Sequence, residues 1–281
     1  MPPDSEVLTA RSARVRSARA LTQHKQRRET GLFLAEGPQA VREALAAGAA
    51  VEVFLAEDDG DRRRAEVADA RDLGVPVRRV ERAGFAGLVS AQTPQGIVAV
   101  CRWSPPSLAE VLAAPGPGQV ALAHEMADPG NAGALIRVAD AAGARAVGLS
   151  ERSVDPTNAK CVRATAGSLF HLPVVAAGQT VAALAAVRAA GYRTLAADAT
   201  PAATDLFAAE RAGLLLGRVA WLFGNEAHGL PDAVLAAVDH VVRIPILGRA
   251  ESLNLATAAA VCLYGYARGD LRLAGGSRAR R

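Results

Sequence analysis

The chain has 281 residues, a net charge of +4 and a hydrophobic content of 51%, enough apolar material for one large core or two smaller ones. No run approaches the roughly 18 apolar residues of a membrane span, and the arginines at 11, 14, 16 and 19 precede no signal-type apolar core. Cys101, Cys161 and Cys262 are scattered with no Cys-x-x-Cys pair, which excludes a zinc motif and a disulfide framework and suits a reducing, cytoplasmic setting.

Residues 5–30 read as one basic helix, with Val7, Leu8, Val15, Ala18 and Leu21 as a partial apolar stripe. Arg14 and Arg28 stand on its charged side, which is either a solvated face or a phosphate-contacting one. Strands and helices then alternate. Strands are predicted at 32–34, 51–55, 75–80 and 96–103, with helices at 37–47, 61–73 and 81–90 between them. Residues 104–118 hold Pro105, Pro106, Pro115, Gly116 and Pro117, the composition of a linker, with a helical turn around 108–113.

The alternation restarts beyond it. Strands are predicted at 120–124, 146–149, 172–175, 193–197, 218–223 and 240–246. Helices are predicted at 131–142, 158–165, 181–190, 231–238 and 252–268. This order implies a mostly parallel α/β sheet covered on both faces, with ligands beyond the carboxyl ends of its strands. Three of those ends carry polar, Gly-rich loops: after His124, after Phe223 and after Ile246. In the first, Asn131 reads as a helix cap or a site residue, and Arg137 suits a phosphate or carboxylate. In the second, Gly224 and Gly229 bracket Asn225 and Glu226, either as a turn with a cap or as a ligand loop. In the third, Ser252 and Asn254 fall at the first turn of the last helix, where free N–H groups favour a small ligand. Lys160 and Arg163, three apart on one helix face, could grip a phosphate or be solvated.

Asp128-Pro129-Gly130-Asn131-Ala132-Gly133-Ala134-Leu135-Ile136-Arg137, then Gly224-Asn225-Glu226-Ala227-His228-Gly229-Leu230, then Ile244-Pro245-Ile246 with Glu251-Ser252-Leu253-Asn254 resemble, in order, the three motifs of SpoU/TrmH-type RNA 2′-O-ribose methyltransferases of the SPOUT superfamily. Phe33-Leu34-Ala35-Glu36-Gly37 with Val41-Arg42-Glu43-Ala44, and Thr93-Pro94-Gln95-Gly96-Ile97-Val98-Ala99, resemble that family's substrate-binding domain of the ribosomal protein L30e type.

The resemblance implies an RNA-binding domain over 1–103, a linker over 104–118 and a methyltransferase domain over 119–281 whose C-terminal segment forms a deep trefoil knot. It implies S-adenosylmethionine as cofactor and a homodimer with the site at its interface. RNA is the implied substrate, rRNA before tRNA, with no membrane partner and no metal. Arg137, Asn131, Glu226, Ser252 and Asn254 match the catalytic positions. Leu222, Phe223, Gly224, Asn225, Gly229, Ile244, Ile246, Ser252 and Leu253 match the cofactor loops. Arg14, Arg28, Lys160 and Arg163 are the RNA-contact candidates. Thr165 stands where many members have Ser. Two other classes stay in view: a non-catalytic RNA-binding assembly factor, against which all five catalytic positions are intact, and a Rossmann oxidoreductase, for which the chain has no Gly-x-Gly-x-x-Gly after an early strand.

Overall fold

The structure is a computed structural model that describes residues 7–116, 118–225 and 227–278, with side chains through residue 269. It divides into two compact units, residues 1–104 with 155–171, and residues 105–154 with 172–281.

The first unit runs β1 (Val7–Leu8), α1 (Ala13–Ala20), α2 (His24–Thr30), β2 (Leu32–Glu36), α3 (Pro38–Ala46), β3 (Ala50–Ala56), α4 (Arg64–Asp72), β4 (Val77–Val80), α5 (Arg82–Ala86) and β5 (Ile97–Arg102). Its sheet order is β1-β4-β3-β5-β2, with β5 antiparallel to both neighbours and the other pairs parallel. Val15, Ala18 and Leu21 pack on Phe54, Val80 and Val98.

The single helix expected over 5–30 is instead an edge strand and two helices. The break has a tertiary cause. Arg27 is buried, and its Nη1 donates to the carbonyls of Leu21 at 3.1 Å and Thr22 at 3.0 Å, the groups a continuous helix would have used. Its Nη2 and Nε donate to Asp155 Oδ2 at 2.7 and 3.0 Å, and Nε also to Thr157 Oγ1 at 3.1 Å.

The second unit opens with α6 (Leu108–Ala113), started by a capping box in which Ser107 and Glu110 serve each other's N–H groups. It continues through β6 (Gly118–Ala123), α7 (Pro129–Ala141) and β7 (Val147–Ser150). The chain then passes through α8 (Ala159–Thr165) and a 3-10 turn (Ser168–Phe170), which group with the first unit although the sequence reading placed them inside the methyltransferase domain. Beyond them lie β8 (Val174–Gly178), α9 (Thr180–Ala189), β9 (Arg193–Ala197), β10 (Thr204–Asp205), α10 (Leu206–Arg211), β11 (Arg218–Phe223), α11 (Asp232–Leu235), β12 (His240–Arg243) and α12 (Leu255–Arg278).

All pairings of this seven-stranded sheet are parallel, in the order β10-β12-β9-β11-β6-β7-β8. A parallel sheet covered by helices favours near-continuous apolar strands, and β11 is one after its first residue, Arg218: Val219, Ala220, Trp221, Leu222 and Phe223 are all buried. The α12 helix packs along α7, and buried Gln119 on β6 ties both helices by donating to Ala142 O at 3.0 Å and Leu263 O at 3.1 Å. The Pro- and Gly-rich stretch before β6 is fastened to this unit. Arg145 donates to Ala114 O at 3.2 Å and Gly116 O at 3.1 Å, and Arg218 to Gly116 O at 3.2 Å.

Three further differences from the sequence reading bear on the site. The β10–α10 pair was not anticipated; Asp205 caps α10 by accepting from Phe207 and Ala208. The β12 strand stops at Arg243 and leaves Ile244 to Ile246 irregular, as Pro245 at that point demands. The α12 helix begins at Leu255, so Ser252 is in the preceding loop and Asn254 is the cap, its Oδ1 accepting from Ala256 N–H at 3.0 Å and Thr257 N–H at 3.3 Å.

Candidate active site

At the carboxyl ends of β9, β11 and β12 in the second unit lies a cavity of about 450 Å³, a size that suits a small-molecule ligand. Phe223, Gly224, Asn225 and Gly229 form one wall, and Ile244, Ile246, Ser252, Leu253 and Asn254 another; Asn131 reaches it from the first turn of α7. Three loops that lie far apart in the chain thus converge on one cavity, and a hydrogen bond joins two of them: Asn254 Nδ2 donates to Asn131 Oδ1 at 3.1 Å.

The cap of α7 is Asp128, not Asn131: its carboxylate accepts the Asn131 N–H at 2.8 Å, and the Asn131 side chain turns to Asn254 instead. Pro129 at the first helical position fits the same start. The 224–229 loop closes on itself. Asn225 and Gly229 exchange backbone hydrogen bonds of 3.1 and 2.9 Å, and a Cβ on Gly224 would stand 2.8 Å from the Gly229 carbonyl carbon. Gly229 has φ of 65°, so both glycines are demanded by geometry.

The predicted residues divide by place. Asn131, Phe223, Gly224, Asn225, Gly229, Ile244, Ile246, Ser252, Leu253 and Asn254 line the cavity. Leu222 does not: its side chain is fully buried in the core with Leu122, Leu184 and Leu230. Arg137 does not line it either. It is exposed, with no hydrogen-bond or ion-pair partner among the described residues. It stands six residues past Asn131 on α7, about 9 Å further along the axis. Glu226 lies outside the described residues. His228 is exposed, and its N–H donates to Asn225 Oδ1 at 3.3 Å.

Seven lining residues were not among the predicted site residues: Ala197, Asp198 and Ala199 at the end of β9, Val242 on β12, Glu251 in the last loop, and Leu255 and Ala258 on α12. Asp198 had a usable signal, a carboxylate directly after a buried strand. It is held in place by donating its N–H to Val242 O at 3.0 Å and by accepting from Thr200 N–H at 2.9 Å.

The RNA-contact candidates are in the first unit. Arg28 is exposed with no ion pair among the described residues, and Arg14 pairs with Glu52 at 3.2 Å. Lys160 is exposed on α8. Arg163, by contrast, turns inward to the buried carboxylate of Glu36 at 3.0 Å, which also accepts from the N–H groups of Ser90 at 3.1 Å and Ala91 at 3.2 Å. Thr165 is fully buried, its hydroxyl donating to Val162 O at 2.7 Å. Among the described residues no cluster of His, Cys, Asp or Glu is built to hold a metal, and no helix is long and apolar enough to cross a membrane.

A parallel α/β sheet with a ligand-sized cavity walled by loops beyond its strand ends defines a small-molecule-binding α/β protein. Residues 119–264 match the SpoU rRNA Methylase family, and residues 12–99 the MRM3-like substrate binding domain. The chain belongs to the SpoU rRNA methylase family. It is 32% identical over 261 residues to 23S rRNA (guanosine(2553)-2′-O)-methyltransferase RlmP of Bacillus subtilis, across 92% of this chain and 98% of that protein. It is also 32% identical over 272 residues to the 23S rRNA (uridine(2479)-2′-O)-methyltransferase of Streptomyces viridochromogenes, across 93% and 92% of the two chains. The crystal structure of an AdoMet-bound rRNA methyltransferase from Sinorhizobium meliloti matches with a TM-score of 0.78 at 32% identity, covering 93% of this chain and 98% of that one.

Proposed function

We propose that the protein is an S-adenosylmethionine-dependent methyltransferase that modifies a ribose 2′-hydroxyl in rRNA. The observation that carries this reading is the convergence of the 128–131, 224–229 and 244–254 loops on one cavity, joined by the Asn254–Asn131 hydrogen bond.

The cavity fits the cofactor. Its walls combine the apolar residues Phe223, Val242, Ile244, Ile246 and Leu253 with the side-chain-free Gly224 and Gly229 and the polar residues Asp198, Ser252 and Asn254. S-adenosylmethionine supplies a methyl carbon already made electrophilic by its sulfonium. The chain's own task is then to hold the ribose hydroxyl and stabilise the alkoxide that develops on it. Arg137, a fixed cation with a planar fork of donors, serves the alkoxide and the adjacent RNA phosphate. Asn131 and Glu226 orient the ribose and the guanidinium, and Ser252 and Asn254 complete the pocket.

Since Arg137 does not line the cavity of its own subunit, the homodimer is part of this reading. The exposure of every residue from Leu247 to Asn254, with Leu247 at 94%, supports a partner surface there. The deep trefoil knot also belongs to it; the insertion of β12 between β9 and β10, before the chain returns to α12, supports that threading. Residues 1–103 are read as the L30e-type RNA-binding domain, 104–118 as the connection and 119–281 as the methyltransferase domain, acting on rRNA in the cytoplasm.

The test is calorimetry with S-adenosylmethionine in the presence of chelator, followed by incubation with rRNA and nucleoside mass spectrometry. Micromolar binding and a 2′-O-methylated nucleoside are the expected results. Absence of cofactor binding overturns the site, and binding without transfer leaves the assembly-factor reading in its place.

A further inference from the structure

Glu125, the second residue of the β6–α7 turn, has φ of 45°, in the left-handed region that residues with a Cβ rarely enter. Both of its backbone polar groups are taken by side chains from elsewhere in the sheet. Its N–H donates to Ser150 Oγ at 2.8 Å, and its carbonyl accepts from Asn225 Nδ2 at 2.6 Å. The residues on either side are also fixed: His124 N–H donates to the backbone carbonyl of Phe223 at 2.8 Å, and Met126 N–H to the side chain of Ser153, at Oγ, at 3.1 Å.

The Asn225 amide faces two ways. While Nδ2 reaches Glu125, Oδ1 accepts from the N–H groups of Ala227 at 2.8 Å and His228 at 3.3 Å within its own loop. Both acceptor sites of the oxygen and one N–H are therefore occupied inside the protein. This argues against Asn225 as a direct cofactor ligand, although it lines the cavity.

We infer that Asn225 is a positioning residue whose amide locks the 224–229 loop onto the strained carbonyl of Glu125, and so sets the cavity wall against the start of α7 that carries Asn131. The inference rests on the reading of the cavity as the cofactor site. The lock joins two of the three converging loops by side chain to backbone, as the Asn254–Asn131 bond joins the third. An amide is needed. An aspartate would keep the acceptor toward Ala227 and His228 but turn a second acceptor toward the Glu125 carbonyl. A serine would reach only one of the two.

The experiment uses the full chain, with Asn225→Asp, Glu125→Gly and the double variant. In Asn225→Asp, S-adenosylmethionine affinity by calorimetry should fall at least tenfold, and in cofactor-free protein the amides of Ala227, His228 and Gly229 should exchange with deuterium at least tenfold faster. Glycine adopts φ of 45° without steric cost, so Glu125→Gly should recover at least a third of the lost affinity in the double variant, a coupling that independent sites do not show. Wild-type affinity within twofold and unchanged exchange in Asn225→Asp overturn the lock, leaving Asn225 as a cap of its own loop. If Asn225→Asp fails to fold, Asn225→Ala carries the test, since only the lock predicts rescue by Glu125→Gly. If the wild type binds no cofactor while exchange still accelerates in the variant, the lock stands and the functional reading fails.

Discussion

Two arginines of this chain illustrate opposite fates of one side chain. Arg137 is exposed on α7 and contributes little to the core, so replacing it should leave stability within about 0.5 kcal/mol. Removing one charged donor from a developing alkoxide costs on the order of 100-fold in rate or more. Arg137→Ala should therefore abolish most methylation while S-adenosylmethionine titrates normally. Arg137→Lys should rescue poorly, because lysine keeps the charge without the bidentate fork; near-full rescue in single-turnover kinetics would reduce the role to charge alone. Arg27 is the buried counterpart. Burial penalises the charge on its partner Asp155, but hydrogen bonds from Thr157 and Arg27 outweigh that and hold the Asp155 carboxyl below its ordinary value. A carboxyl depressed in the folded state stabilises above its unfolded pKa of about 4 and loses that contribution as the pH falls through the folded value. Asp155→Asn should cost about 3 kcal/mol in urea unfolding near pH 7. The gap from wild type should narrow below about pH 4; a gap independent of pH would show that the charge plays no part.

At the scale of elements, the start of α7 carries the consequence. Asp128 caps the helix whose third residue is Asn131. Asp128→Ala should cost about 1 kcal/mol, a fall of about 2–4 °C in melting temperature for a protein of this size. Activity should fall further than that loss explains, since the turn presenting Asn131 is released; a proportionate fall in both would make the cap purely structural. The helix itself was legible in the sequence from its apolar spacing, but its cap was misplaced by three residues, because Asp, Pro, Gly and Asn are all turn and cap formers and only the hydrogen bond decides between them. Strands β6 and β11 were legible because a strand buried on both faces is a continuous apolar run. The break between α1 and α2 was not, since its cause, the Arg27 guanidinium gripping two carbonyls and Asp155, joins residues 128 apart in sequence. The β10–α10 pair escaped because a two-residue strand has no period to detect. In the site, the three glycine-bearing loops could be read from composition and order. Asp198 offered only a carboxylate after a buried strand, in a loop with no glycine to mark it, and the inward turn of Arg163 to Glu36 depends on packing that no spacing reveals.

For the whole molecule, the grouping of 155–171 with the first unit decides how RNA binding should be tested. Deleting residues 1–104 would strip Asp155, Arg163 and His171 of Arg27, Glu36 and Glu43. The better experiment keeps the full chain and neutralises Arg11, Arg16 and Arg28, exposed residues without an ion pair among the described ones. RNA affinity should drop with a shallower salt slope, by up to about 0.9 for each phosphate that is no longer neutralised, while cofactor affinity holds; an unchanged slope would remove this face from the RNA path. Mapping 2′-O-methylation across the RNA of cells with and without the gene tests most directly the claim that this chain places a methyl group on a ribose 2′-hydroxyl of rRNA. One rRNA position should lose its methyl group in the deletion and regain it with the wild-type gene but not with Arg137→Ala. An rRNA methylation pattern identical in both cells, or a loss confined to tRNA, would contradict the claim.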